Sequence, residues 1–172
     1  MIVALAGLPG SGKSYLARTL LKMHEEFVLF DKDSVRQTLF PGKLTDFTAE
    51  QDDLCMHIIF QAAEYVLAKN KDAVIFIDGR TFSKKYHVQM ILEAAKSINT
   101  ECKFIRCVCN DKTAKARIES QQGKHYAANR TFDLYMRLKK NAEPLEVPHL
   151  ILNTDDEKKL DERVKAVLDY LK

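Results

Sequence analysis

The chain has 172 residues, a formal net charge of +3, 46% hydrophobic and 30% charged residues, which is the size and balance of one globular domain with a sizeable core. That charge is too small to mark a dedicated nucleic-acid binder, no stretch reaches the length of a transmembrane helix, and the N-terminus lacks the basic stretch of a signal peptide, so the cytoplasm is the expected address. Cys55, Cys102, Cys107 and Cys109 form no C-x-x-C pair and have no histidine at finger spacing, which argues against a structural zinc site.

Ile2 to Ala6 is an apolar run of the kind that forms a buried parallel strand. It breaks into Gly7-Leu8-Pro9-Gly10-Ser11-Gly12-Lys13-Ser14, which satisfies the phosphate-loop pattern G-x-x-x-x-G-K-S/T in full. Glycines there let the backbone wrap a polyphosphate with successive N–H groups aimed at its oxygens. Lys13 would reach the β and γ phosphates, and Ser14 would offer its hydroxyl to Mg²⁺. From Ser14 to Leu21 apolar residues recur at helical spacing, so a helix begins there and points its N-terminal amides at the same phosphates. The expected nucleotide-binding set is Gly7, Pro9, Gly10, Ser11, Gly12, Lys13, Ser14 and Tyr15.

The second strand, Phe27 to Phe30, runs into Asp31-Lys32-Asp33-Ser34-Val35-Arg36-Gln37. Asp33 and Arg36 share one face if a helix starts near Asp33. The carboxylate could then take a proton from a substrate hydroxyl while the arginine gripped a substrate phosphate or held the carboxylate. The plainer reading is a helix N-cap and a solvated cation. A helix follows from about Thr48 to Lys69, opened by a capping box Thr48-x-x-Gln51, with Cys55, Ile58, Ile59, Ala62 and Val66 as its core face.

Ala73 to Ile77 reads as the third strand, and Asp78 ends it, where a phosphate-loop protein places the carboxylate that orients Mg²⁺; turn chemistry is the alternative. Asn70-Lys71-Asp72-Ala73 imitates the N-K-x-D guanine-reading motif, but alanine holds its fourth position and it precedes a strand, so a GTP switch is not expected. A helix from Ser83 carries Val88, Ile91, Leu92, Ala95 and Ile98 inward, and Lys103 to Val108 forms the fourth strand. Two short helices, about Asp111 to Gln122 and Asn129 to Ala142, are split at Gly123, with Arg117, Lys124 and Arg130 around the break. A basic segment closing over a moving phosphoryl group would stabilise its charge and exclude water, with Arg117 the strongest candidate; a solvated helical hairpin is the alternative. His149 to Leu152 is the fifth strand, and Thr154-x-x-Glu157 a capping box before a last helix with Leu160, Val164, Val167, Leu168 and Leu171 inward. Strands alternating with helices predict an α/β fold with a parallel sheet covered on both faces, and ligands at the carboxyl ends of its strands.

Across GLPGSGKS, FDKDSVRQTLF, FIDGRTFSKKYH and DKTAKARIESQQGKHYAANRTFDLYMRLKK, nearly the whole chain resembles the small phosphate-loop kinases grouped with polynucleotide 5'-hydroxyl kinase; zeta-type toxins and chloramphenicol phosphotransferase look like more distant relatives. The resemblance implies a five-stranded parallel sheet of order 2-3-1-4-5, Asp33 as the base that activates a hydroxyl, Arg36 on the acceptor or its neighbouring phosphate, and a helical lid over about residues 112 to 142. Two positions depart from that pattern. A second lid arginine is replaced by Gln121, so that Lys124 or Arg130 must substitute, and the family's D-x-T-N with its arginine pair is here DGRT followed by Tyr86-His87.

The expected function is therefore transfer of the γ-phosphoryl group of ATP, with Mg²⁺, to a hydroxyl. Asp33, Lys13, Arg36 and Arg117 would carry the chemistry, Arg117 would also touch nucleotide, and Ser14 and Asp78 would serve the metal. The acceptor is a nucleic-acid 5'-end, a nucleoside, a sugar or an antibiotic, and neither a membrane partner nor an oligomeric state is indicated. A switch or ATPase that uses no acceptor is the rival, and a closed apolar surface beside Asp33 would mark it. A nucleic-acid-binding module would instead show stacking aromatics in a basic groove, for which Tyr86, Tyr126 and Tyr135 are the candidates.

Overall fold

The computed structural model describes all residues except 122–128. Among the described residues five strands, β1 (Ile2–Ala6), β2 (Phe27–Asp31), β3 (Val74–Asp78), β4 (Cys102–Val108) and β5 (His149–Asn153), alternate with seven α-helices. These are α1 (Lys13–Met23), α2 (Lys32–Leu39), α3 (Ala49–Lys69), α4 (Lys85–Ser97), α5 (Asp111–Ser120), α6 (Phe132–Lys140) and α7 (Leu160–Leu171). The strands form one parallel sheet of order β2-β3-β1-β4-β5, the order the sequence resemblance implies.

Hydropathy explains that order. β1 is buried at all five positions and takes the centre, whereas Ile151 in the edge strand β5 is 58% exposed. One face of the sheet packs Ile2, Ala4, Ile75, Ile77 and Phe104 against α3 and α4. The other packs Val3, Leu5, Phe76 and Ile105 against Leu16 and Leu20 of α1 and Val164 and Val167 of α7. A satellite cluster of Ala114, Ile118 and Tyr135 joins α5 to α6. Among the described residues no helix is long and apolar enough to cross a membrane.

Several local expectations are corrected by side-chain chemistry. Cys55 and Ile59 are deeply buried in α3 as expected, together with Met56, Phe60, Ala63 and Leu67, whereas Ile58, Ala62 and Val66 lie at the edge of that face. Thr48 caps α3 by accepting from the Gln51 N–H, yet the Gln51 side chain bonds Leu44 and Asp46 instead of returning to Thr48, so only half the capping box forms. α4 starts at Lys85, where the Glu143 carboxylate accepts from the Lys85 N–H at 2.7 Å and supplies the cap from a distant segment. Thr154 caps nothing; Asp156 caps a short 3-10 turn before α7, and Thr154 turns inward to the phosphate loop. The predicted lid spans α5 and α6 and includes residues 122–128, so Gly123, Lys124 and Tyr126 lie outside the described residues.

Truncating the fully buried Phe76 to alanine is expected to cost about 3–5 kcal/mol through lost burial and a residual cavity. Ile151→Ala, on the exposed edge, should stay within about 0.5 kcal/mol, and urea denaturation of the two variants measures the contrast.

Candidate active site

The loop between β1 and α1 is fixed by close backbone approach. A Cβ on Gly7, at φ 137°, would lie 2.4 Å from the Cys107 carbonyl oxygen, and one on Gly10, at φ 79°, would lie 2.8 Å from the Ala114 carbonyl oxygen. Both positions therefore require glycine on conformation and on space. Lys13 is buried and donates from Nζ to the Gly7 and Leu8 carbonyls at 2.8 and 3.1 Å. Burial pulls its pKa down, against the opposing pull of Asp78.

Two cavities meet at this loop. The donor-side cavity, about 610 Å³, is lined by Gly10, Gly12, Lys13, Ser14, Tyr15, Arg18, Arg117 and Arg163, among others. The acceptor-side cavity, about 270 Å³, shares Lys13, Ser14 and Arg130 with it and adds Pro9, Asp33, Arg36, Asp78 and Arg80. Every predicted site residue except Gly7 and Ser11 lines one of the two; Gly7 and Ser11 instead line a third cavity behind the loop.

The structure places Arg117 on the donor side only. Its Nη1 donates to Thr154 Oγ1 at 3.0 Å and the Gly10 carbonyl at 3.3 Å, and its Nη2 to the Thr154 carbonyl at 2.7 Å. Thr154 Oγ1 in turn donates to the Ser11 carbonyl at 2.9 Å, so the pair latches the loop from outside. Arg130, like Lys13, borders both cavities, and its Nη1 donates to Gln121 Oε1 at 2.8 Å. Gln121, the position where a second lid arginine is missing, thus anchors one contributed from elsewhere.

On the acceptor side, α2 begins with Asp31 as its N-cap, Oδ1 accepting from the Asp33 N–H at 3.0 Å. This leaves Asp33 free of capping duty. Its Oδ1 accepts from Arg36 Nη1 at 2.8 Å and lies 3.2 Å from Lys32 Nζ. Lys32 and Arg36 also pair with Asp52 from α3, and both cations are almost fully buried. Burial alone would raise the Asp33 pKa, but Lys32 and Arg36 outweigh it and the net direction is down. For Lys32 burial dominates and lowers its pKa to about 8.

Asp78 stands beside Asp31 in the β2–β3 register. It is 1% exposed, and its Oδ1 has no hydrogen-bond partner among the described residues. Burial, with the Asp78 and Asp33 carboxylates next, raises the Asp31 pKa. Among the described residues no three His, Cys, Asp or Glu cluster as a metal cage. Mg²⁺ held with phosphates and water needs fewer protein oxygens, and an orphaned carboxylate oxygen across the cavity from Ser14 fits that lighter demand.

Sequence reasoning missed Lys32, Asp52, Arg80, Arg163 and the latch at Thr154. Asp52 and Arg163 lie in the first turns of α3 and α7 with no local motif, and Thr154 was hidden behind a plausible capping pattern. Of the stacking candidates, Tyr135 is 3% exposed and donates to Asp111, and Tyr86, 45% exposed, accepts from Arg80 and packs its ring against Arg80 and His87.

A family model described as an AAA domain matches residues 2–145. No curated protein matches the chain. Among solved structures, the APS kinase CysC of Mycobacterium tuberculosis in complex with AMPPNP and APS is 17% identical, with TM-score 0.70 over 99% of this chain and 96% of that one. Kti12 of Chaetomium thermophilum in complex with ADP-AlF3 is 15% identical, with TM-score 0.67 and 98% of both chains covered. A sugar kinase from Janibacter is 18% identical, with TM-score 0.67 over 98% and 94%. These likenesses establish the fold, that of phosphate-loop kinases.

His87 sits at the rim of the acceptor-side cavity, and burial, aided by Arg80, lowers its pKa to about 4. Between about pH 6.5, the value in an unfolded chain, and about pH 4 the unfolded state takes up a proton that the folded state refuses. Stability therefore falls as pH drops through that window. His87→Gln should remove this part of the acid sensitivity, read as a smaller loss of Tm between pH 7 and pH 5 than in the wild type.

Proposed function

The chain belongs to the AAA domain family whose model it matches, and from that premise we propose that it is an ATP-dependent kinase acting on a hydroxyl acceptor. One observation carries the reading: an open cavity lined by charged side chains lies between Lys13 on the phosphate loop and Asp33 on α2, where an acceptor-free switch would need only a closed surface. Nucleotides in the structures of similar fold support ATP as the occupant of the donor side.

In this proposal the acceptor hydroxyl lies against Asp33, which takes its proton as the oxygen bonds to the γ phosphorus and the bond to the β–γ bridging oxygen breaks. A base of lowered pKa is ionised at neutral pH and ready to accept. Arg36 and Lys32 hold that carboxylate in position. Lys13 exchanges its contacts with loop carbonyls for phosphate oxygens, and Arg130, which borders both cavities, faces the charge that spreads over the moving group. Arg117 keeps the nucleotide-binding role expected for it; its place on the donor side leaves stabilisation of the transition state to Arg130. Mg²⁺, held by Ser14 and oriented by Asp78 through water, would neutralise charge on the phosphates.

The test is transfer of label from γ-labelled ATP with Mg²⁺ to a panel of 5'-hydroxyl oligonucleotides, nucleosides, sugars, their phosphate esters and aminoglycosides. Asp33→Asn should lower transfer by about a hundredfold or more while ATP still binds. Undiminished transfer by that variant would remove Asp33 as base, and hydrolysis with no acceptor labelled would favour the switch.

A second outcome follows from Lys32. Its charge is lost as pH rises through about 8, and with it one of the two cations that hold Asp33. Transfer should decline above that pH, and Lys32→Arg, whose charge persists, should carry the plateau further into the alkaline range. A pH–rate profile identical in both proteins would contradict the role given to Lys32.

A further inference from the structure

Arg80 is a buried cation that the reaction above does not use. Its side chain is 3% exposed, it follows Gly79 at the end of β3, and it lines the acceptor-side cavity. Its Nη2 is held by Asp53 Oδ1 at 2.5 Å and Tyr86 OH at 3.1 Å. Nε and Nη1 are buried without a hydrogen-bond partner among the described residues. Arg36 also has a buried Nε without a partner among the described residues, but both its terminal nitrogens already contact carboxylates, those of Asp33 and Asp52. Arg80 keeps a whole terminal nitrogen unpartnered, which makes it the stronger candidate of the two for reading an anion.

Buried N–H groups of a guanidinium left without acceptors cost free energy, and they persist where a ligand supplies the missing oxygens. A phosphate ester supplies those missing oxygens together with a charge opposite to that of the guanidinium. We propose that Arg80 reads an anionic group on the acceptor, which is accordingly a hydroxyl compound that carries a phosphate ester beside the hydroxyl to be modified. This rests on the kinase reading for the identity of the ligand as acceptor; the anion site itself requires no turnover. The phosphate belongs either to a small phosphorylated molecule or to a phosphodiester-linked strand.

Binding is measured before chemistry. With the donor side filled by a non-hydrolysable ATP analogue, inorganic phosphate is titrated into the protein by calorimetry. The wild type should bind it, Arg80→Gln should bind it at least about tenfold more weakly, and Asp53→Asn, which releases Nη2 and removes a nearby negative charge, should bind it more tightly. A merely structural arginine would not give changes of opposite sign. Should Arg80→Gln fail to fold, Arg80→Lys and Asp53→Asn decide the matter by the same two directions. Absence of phosphate binding in the wild type, or equal binding in wild type and variants, overturns the proposal.

In the labelled-ATP panel, phosphate-bearing acceptors should show a lower KM than their unphosphorylated forms, and Arg80→Gln should erase the difference with kcat retained. A low KM confined to monophosphates identifies a small molecule, and one confined to 5'-hydroxyl oligonucleotides identifies a strand. Equal KM for both forms of an acceptor overturns the proposal and leaves the kinase reading intact. Phosphate binding through Arg80 with no acceptor labelled supports the anion site and sinks the kinase reading instead.

Discussion

The phosphate loop is pinned by elements that arrive long after it in the chain. Gly7 lies against the Cys107 carbonyl at the end of β4, Gly10 against the Ala114 backbone in α5, and Gly12 against the Thr154 side chain after β5. Each contact is tight enough that a methyl group at the glycine would collide or crowd. The loop's shape is thus set by the parallel sheet order, which brings β1 beside β4 and β4 beside β5. Arg117 and Thr154 complete the clamp by bonding the Gly10 and Ser11 carbonyls of the loop. Satisfying those carbonyls matters because a buried, unpaired carbonyl would otherwise favour a different loop conformation. Preorganised amides are the consequence, and they cost no rearrangement when nucleotide arrives.

A second constraint governs the far side of the loop. Lys32, Asp33, Arg36 and Asp52 form a buried ion cluster in which two carboxylates are shared by two cations. Removing such charges from water is expensive, and an apolar packing of the same volume would often be as stable or more so. The cluster is better explained by the orientation it gives Asp33 than by stability. The cost is concentrated where α2 meets α3, beside the cavity that separates Asp33 from Lys13.

The fold was largely readable from residues because each strand is a compact apolar run and each helix carries a 3.6-residue stripe. GLPGSGKS and the Asp33–Arg36 pair were readable for a different reason: the loop and the first turn of a helix are local, so their geometry follows from spacing. Asp52 and Arg80 were not, since what sets their place beside the cavity is a partner 16 to 27 residues away across the fold. Thr154 shows the opposite failure, a local pattern that fitted a capping box while the tertiary structure assigned its hydroxyl to Ser11. Glu143 caps α4 from 58 residues away, which no reading of the helix's own N-terminus could find.

The three arginines that line the acceptor-side cavity differ in a way that orders the whole site. Arg36 has both terminal nitrogens taken by carboxylates, Arg80 is half-saturated, and Arg130 is tied to the protein through Gln121 while bordering both cavities. A guanidinium whose terminal nitrogens already face carboxylates has less to offer a ligand than one with a terminal nitrogen unpartnered. Under the proposed function Arg36 serves the base, Arg130 the transferring phosphoryl group, and Arg80 the remainder of the acceptor. Asp33 keeps both of its ion-pair contacts on Oδ1. Its other oxygen can meet a hydroxyl without first surrendering an ion pair, while Lys32 and Arg36 fix the carboxylate through the first, so the base assignment rests on the pairing of its neighbours as well as on the aspartate itself.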